Sequence, residues 1–118
     1  MPIQHVLIVD DSKTEQMFMS SIMQKNGMTV SVADAAMAEL ARNKPDLILM
    51  DVVMPGKNGF QLTRQISKDP RFADVPIVIC TSKTQQTDMV WGMRQGARAY
   101  ITKPINPAEL LAKIREIG

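Results

Sequence analysis

The chain has one cysteine, Cys80, so no internal disulfide can form. A reducing cytoplasm is the compartment that suits such a sequence. No apolar stretch approaches the ~18 residues of a membrane span, so no membrane insertion is expected. The first apolar run, Val6 to Val9, is too short for a secretory signal and ends in two aspartates. An excess of one charge is also missing. Lys plus Arg number 14 and Asp plus Glu 12, the net charge is +2, and no basic run reaches four residues. That balance gives no support to nucleic acid as a partner. No repeat, low-complexity stretch or linker interrupts the 118 residues, a length that fits one domain with one core (1–118), and no output domain is expected.

What is present is an alternation of short strand-like runs with amphipathic helical stretches, the pattern of an α/β fold with a parallel sheet. His5 to Val9, Leu47 to Met50 and Val75 to Cys80 are continuously apolar, as strands covered on both faces should be. Met28 to Val32 alternates instead, which predicts a sheet edge. Ala99 to Ile101 is a short fifth strand.

Five helices are expected between and after them. Ser12 with Glu15 reads as a capping box for the first, which should end at Asn26-Gly27. Asp34 caps a second over about Ala35 to Asn43, closed by Lys44-Pro45. Asn58-Gly59 precedes a third, carrying Phe60, Leu62 and Ile66. A fourth covers about Gln85 to Gln95 and stops at Gly96. Asn106-Pro107 opens the fifth.

In sheets of this kind the ligand lies beyond the carboxyl ends of the strands. Those ends carry Asp10 and Asp11, Asp51, Thr81 and Lys103. Three close carboxylates need protons or a cation. With no histidine or cysteine in the set, the cation should be hard, and Mg²⁺ fits best. Asp11 and Asp51 would be direct ligands, Asp10 would act through water or in the surrounding layer, and the main-chain carbonyl of Val53 could add a further ligand. A carboxylate beside Mg²⁺ can attack phosphorus. Lys103 and Thr81 could then neutralise or bond the remaining phosphoryl oxygens, so Asp51 reads as a phosphoryl acceptor.

Asp10-Asp11, Asp51 followed by Met54-Pro55-Gly56 and Gly59, then Thr81-Ser82 and Lys103-Pro104, resemble the receiver domain of bacterial two-component response regulators. The resemblance covers the whole chain. It implies a flavodoxin-like, doubly wound, five-stranded parallel sheet of order 2-1-3-4-5 with five helices. It also implies phosphoryl transfer to Asp51 from a phosphohistidine on a sensor histidine kinase or its phosphotransfer domain, with Mg²⁺. Thr81 and Tyr100 would be a switch pair, and the Lys103–Pro104 bond would be cis. The surface of the fourth helix, fifth strand and fifth helix would change its partner affinity. Within the family, Thr87 to Arg98 is similar to stand-alone regulators of type IV pilus twitching motility, which implies a motility or pilus-motor partner.

Val53 and Lys83 flank the site where a side chain could screen an attacking water, so both are expected to tune the phosphoryl lifetime. Met89 and Trp91 are candidates for a partner surface. His5 lies at the far end of its strand and reads as structural, and Cys80 as a small buried hydrophobe. Two other functions are compatible with an aspartyl phosphate. One is a phosphate sink that drains a kinase. The other is a Mg²⁺-dependent phosphohydrolase, although an adjacent Asp-Asp pair and the lack of a cap insertion speak against it. A flavin-binding module is weaker still, because the loop after the first strand is acidic.

Overall fold

The structure is a computed structural model that describes residues 3–33, 40, 42–54 and 57–118. Three apolar runs form its centre. Strands β1 (His5–Val9), β3 (Leu47–Met50) and β6 (Ile77–Thr81) lie side by side and parallel, flanked by β2 (Thr29–Ala33) on one edge and β7 (Ala99–Thr102) on the other. The order is β2-β1-β3-β6-β7. Val6 to Val9 and every residue of β3 and β6 are buried, as expected for strands covered on both faces. The alternating run is indeed an edge strand, with Val32 exposed.

Alternate residues serve opposite faces. Val6, Ile8, Leu47, Leu49, Val78, Cys80 and Ile101 pack with Met19, Ile22 and Met23 of helix α1 (Lys13–Lys25) and with Leu110 and Ile114 of a C-terminal helix, Pro107–Ile117. Leu7, Val9, Ile48, Met50 and Ile77 pack on the other face with Leu40, Phe72, Val75 and Ile66. Ile66 belongs to α2 (Gly59–Lys68). Helix α3 (Gln86–Arg94) lies over β7 and α2, and Pro107–Ile117 becomes α4. Four helices are present among the described residues. The expected cap Asp34 and most of the expected helix from Ala35 lie outside them, as do Pro55 and Gly56.

Helix ends follow their sequences, with one difference. The Ser12 side chain accepts from Glu15 N, but the Ser12 N–H goes to Asp10 Oδ1 at 2.9 Å instead of completing a capping box. At the other end Gly27 has φ +83°, Gly27 N donates to Gln24 O and Met28 N to Met23 O. This is a Schellman closure, and Met23 and Met28 meet in the same cluster. Asn106 Oδ1 accepts from Ala108 N and Glu109 N, as its position before Pro107 predicts. Phe18 of α1 is exposed, whereas Ile22 one turn on is buried. After Asp51 the chain forms a small antiparallel ladder, β4 (Val53–Met54) with β5 (Lys57–Asn58).

His5 is structural, as expected. Its Nδ1 meets Thr29 Oγ1 at 2.9 Å and its Nε2 meets Ser31 Oγ at 3.1 Å, tying β1 to the edge strand.

Candidate phosphoacceptor site

The chain runs from β1 outward to β2, then crosses β1 to reach β3, so strand order reverses between β1 and β3. Their carboxyl ends carry Asp10 and Asp51. The Asp51 N–H still donates to Val9 O at 2.9 Å, so Asp51 is held in register with β1 as it leaves the ladder. Gly59 fixes the floor beneath it. A Cβ there would lie 2.5 Å from the Asp51 carbonyl oxygen and against Val52 Cα. Only glycine lets α2 start so close to that peptide.

The two aspartates are held in the same way. Asp10 Oδ1 accepts from Ser12 N at 2.9 Å and Asp51 Oδ1 from Val53 N at 3.0 Å. Each carboxylate thus closes a turn on the amide two residues ahead and presents Oδ2 to one ammonium. Lys103 Nζ lies 2.9 Å from Asp10 Oδ2 and 3.3 Å from Asp51 Oδ2. Asp10 is wholly buried, Asp51 is buried, and Asp11 is exposed. Burial pulls the Lys103 pKa down, but the hydrogen bond to Asp10 and the charges of Asp51 and Asp10 outweigh it, and the net shift is upward. The Gln16 side chain donates to the Asp10 main-chain oxygen and steadies that peptide from α1.

One carboxylate oxygen from each of Asp10, Asp11 and Asp51 lies within 4.8 Å of the others. The donors are all oxygen, and that set fits a hard divalent cation better than a soft one. Val53 begins β4 and is 45% exposed.

Thr81 ends β6 and is wholly buried. Its Oγ1 accepts from Lys83 N at 3.4 Å, and its carbonyl accepts from Lys103 N at 2.8 Å. Tyr100 is half-buried beside Val52, Phe60, Ile79 and Ala97, and its hydroxyl donates to Lys83 O at 2.9 Å. Burial, and then the negative charges of Asp88 and Asp51, push the phenol up to about 12. The Lys83 side chain is exposed, so the residue meets Thr81 and Tyr100 through its main chain. Sequence reasoning attended to the Lys83 side chain and missed this link, which no side-chain pattern could signal. It also passed over Gln16, whose place six residues beyond Asp10 on an N-terminal helical turn was the available signal. The Lys103–Pro104 peptide bond is cis.

Met89 and Trp91 do not form one patch. Met89 lines a groove of 630 Å³ with Val90, Met93, Ala99 and Tyr100, edged by Arg94, Arg98 and Lys113. Trp91, 51% exposed, is not part of its lining. Residues two apart on a helix do not share a face.

A family model, the response regulator receiver domain, matches residues 6–115. The chain belongs to the response regulator receiver family. This receiver is 47% identical to Protein PilH of Pseudomonas aeruginosa over 115 residues, covering 95% of each chain. It is 32% identical to the phosphate regulon transcriptional regulatory protein PhoB of Escherichia coli, of which it spans 51%. Among solved structures, the chemotaxis protein CheY4 of Vibrio cholerae superposes with a TM-score of 0.90 at 28% identity, over 98% of the receiver and 99% of that chain. The fold expected from the resemblance is thereby shown. Receiver domains take part in phosphorelay signalling, interact with a histidine kinase or other phosphodonor, and are generally switches rather than enzymes. No helix among the described residues is long and apolar enough to cross a membrane.

Proposed function

We propose that this receiver takes a phosphoryl group onto Asp51 from a phosphohistidine of a sensor kinase or its phosphotransfer domain and thereby switches its affinity for a partner. The observation that carries this reading is the placement of Asp51. Its carboxylate leaves the switch point of the sheet with one oxygen held by Val53 N at 3.0 Å and the other shared with Asp10 around Lys103. An Asp51 oxygen bonds to phosphorus as the donor's P–N bond breaks, and the imidazole leaves with that electron pair. Lys103 pairs with a second phosphoryl oxygen, and the Thr81 hydroxyl turns toward a third. Mg²⁺, when bound, neutralises phosphoryl charge. Asp10, Asp11 and Asp51 with the main-chain carbonyl of Val53 would hold it.

Thr81 and Tyr100 act as the switch pair, joined through the main chain of Lys83. The Val53 and Lys83 side chains, both exposed at the rim of the site, tune how long the phosphoryl group survives. The groove between α3, β7 and α4 is the partner surface, with Met89 in it and Trp91 beside it. Similarity to PilH favours twitching motility as the process served and the cytoplasm as the compartment.

The test uses a small acyl phosphate with Mg²⁺ and intact mass. The wild type gains one phosphoryl group and Asp51→Asn gains none. Labelling that persists in Asp51→Asn but disappears in Asp10→Asn would overturn the assignment. A switch also binds a partner more tightly when phosphorylated, whereas a phosphate sink does not. Steady turnover of simple phosphate esters would mark a phosphohydrolase instead.

A further inference from the structure

Helix α3 has a glycine in its interior, a choice that weakens a helix unless something needs the space. Gly92 is the buried residue of α3. A Cβ built there would lie 2.8 Å from Ile79 Cδ1 and 3.2 Å from both Phe60 Cε1 and Tyr100 Cδ2. The helix main chain therefore packs against Ile79, Phe60 and the Tyr100 ring with no room for a side chain between them. The same ring ends in the hydroxyl that bonds Lys83 O, and Lys83 N bonds Thr81 Oγ1. Met89 and Met93, three residues before Gly92 and one after it, line the groove.

We propose that Gly92 is a positioning residue that couples the placement of the Tyr100 ring to the placement of helix α3, and so to the groove that Met89 and Met93 line. The inference rests on the switch reading of Thr81 and Tyr100. Its physical basis is close packing. A ring in van der Waals contact with bare helix backbone cannot shift without the helix shifting, because dense interiors pass displacement on. A methyl group at this position would lift the helix from the ring and draw the phenol away from Lys83.

The chain carries its own probes, since Tyr100 is the only tyrosine and Trp91, next to Gly92, the only tryptophan. Alkaline absorbance titration follows the Tyr100 phenol. Trp91 emission before and after phosphorylation follows α3. In Gly92→Ala the phenol is expected to titrate lower by about half a pH unit or more, as its buried, bonded position is lost. The phosphorylation-dependent change in Trp91 emission should shrink about threefold or more as the coupling is broken. The mass gain at Asp51 should persist. If the single variant does not fold, Gly92→Ala/Ile79→Val removes the closest contact, keeps the methyl against Tyr100, and should show both changes. A folded variant with the wild-type phenol titration and Trp91 response would overturn the proposal. A wild type that gains no phosphoryl group defeats the phosphoacceptor reading instead, and the phenol titration still decides the role of Gly92.

Discussion

Helices α1 and α3 pack on the same sheet but are built differently. α1 has 13 residues, a side-chain cap at Ser12, a Schellman closure at Gly27, and Met19, Ile22 and Met23 in the core. α3 has nine residues and an N-cap, Gln85, with no side-chain hydrogen bond, and Gly92 is its buried residue. Met89, Val90, Trp91 and Met93 face outward. α1 starts beside Asp10 and holds it through Ser12 N and Gln16. α3 holds none of the carboxylates. Elements with few buried apolar contacts open at lower free energy than the global one. The well-anchored helix therefore serves the chemistry, and the weakly anchored one is free to serve the response.

That contrast can be broken at several points. The largest effect should come from the acidic end. Lys103→Met leaves the Asp10 and Asp51 carboxylates facing each other without a cation. In divalent-free buffer, urea unfolding should show a loss of about 3 kcal/mol or more, as when one partner of a buried ion pair is removed. Adding Asp10→Asn should return most of it. A Lys103→Met variant as stable as the wild type would mean that the cluster is not rigidly paired.

Next in size is the core side of α1. Met23→Ala should cost about 2–5 kcal/mol, against about 0.5 kcal/mol or less for Met93→Ala on the outer face of α3. Equal losses in paired urea curves would erase the contrast between the helices.

Capping gives a smaller and opposite pair of effects. Ser12→Ala should lower stability by about 1 kcal/mol, while Gln85→Asp should slow amide exchange within α3 by supplying the absent cap. Faster exchange in Gln85→Asp would show that α3 is not limited by its N-terminus.

The last effect is absent at neutral pH and develops only at alkaline pH. Burial pushes the Cys80 thiol up to about 12 from an ordinary value of 9.0. The folded chain thus keeps a proton that the unfolded chain releases, and stability from this group should decline as pH rises from about 9 to about 12. Below that window it contributes no pH dependence. A thiol reagent at pH near 8 should label Cys80 only in denaturant, and rapid labelling of the native chain would contradict its burial.

Much of this is legible in the sequence. The continuous apolar runs at β1, β3 and β6 report burial on both faces, and the alternation in β2 reports an edge, because side-chain periodicity responds directly to what covers each face. Asp10, Asp11, Asp51, Thr81 and Lys103 could be grouped because all of them sit at strand ends, which parallel topology brings to one side. Less legible were contacts made by main-chain atoms. The Ser12 amide goes to Asp10 instead of Glu15, and the Lys83 peptide joins Thr81 to Tyr100. Every residue has the same amide and carbonyl, so their partners leave no mark in composition. The burial of Gly92 was missed for a related reason, since a glycine carries no hydrophobic signal when it marks a close approach.

Gly59 has a consequence for how this chain can vary. Any single-base change in a glycine codon that alters the residue brings either a side chain or a stop. Here every side chain begins with an atom placed 2.5 Å from the Asp51 carbonyl oxygen. The position has no neutral neighbour in sequence space. In a library of random single substitutions, variants that keep the Asp51 peptide in place should retain glycine there, while the exposed Met93 of the groove lining should tolerate many replacements without unfolding. The spacing from Asp51 to Gly59 is in this sense a ruler, which an insertion or deletion between them would break.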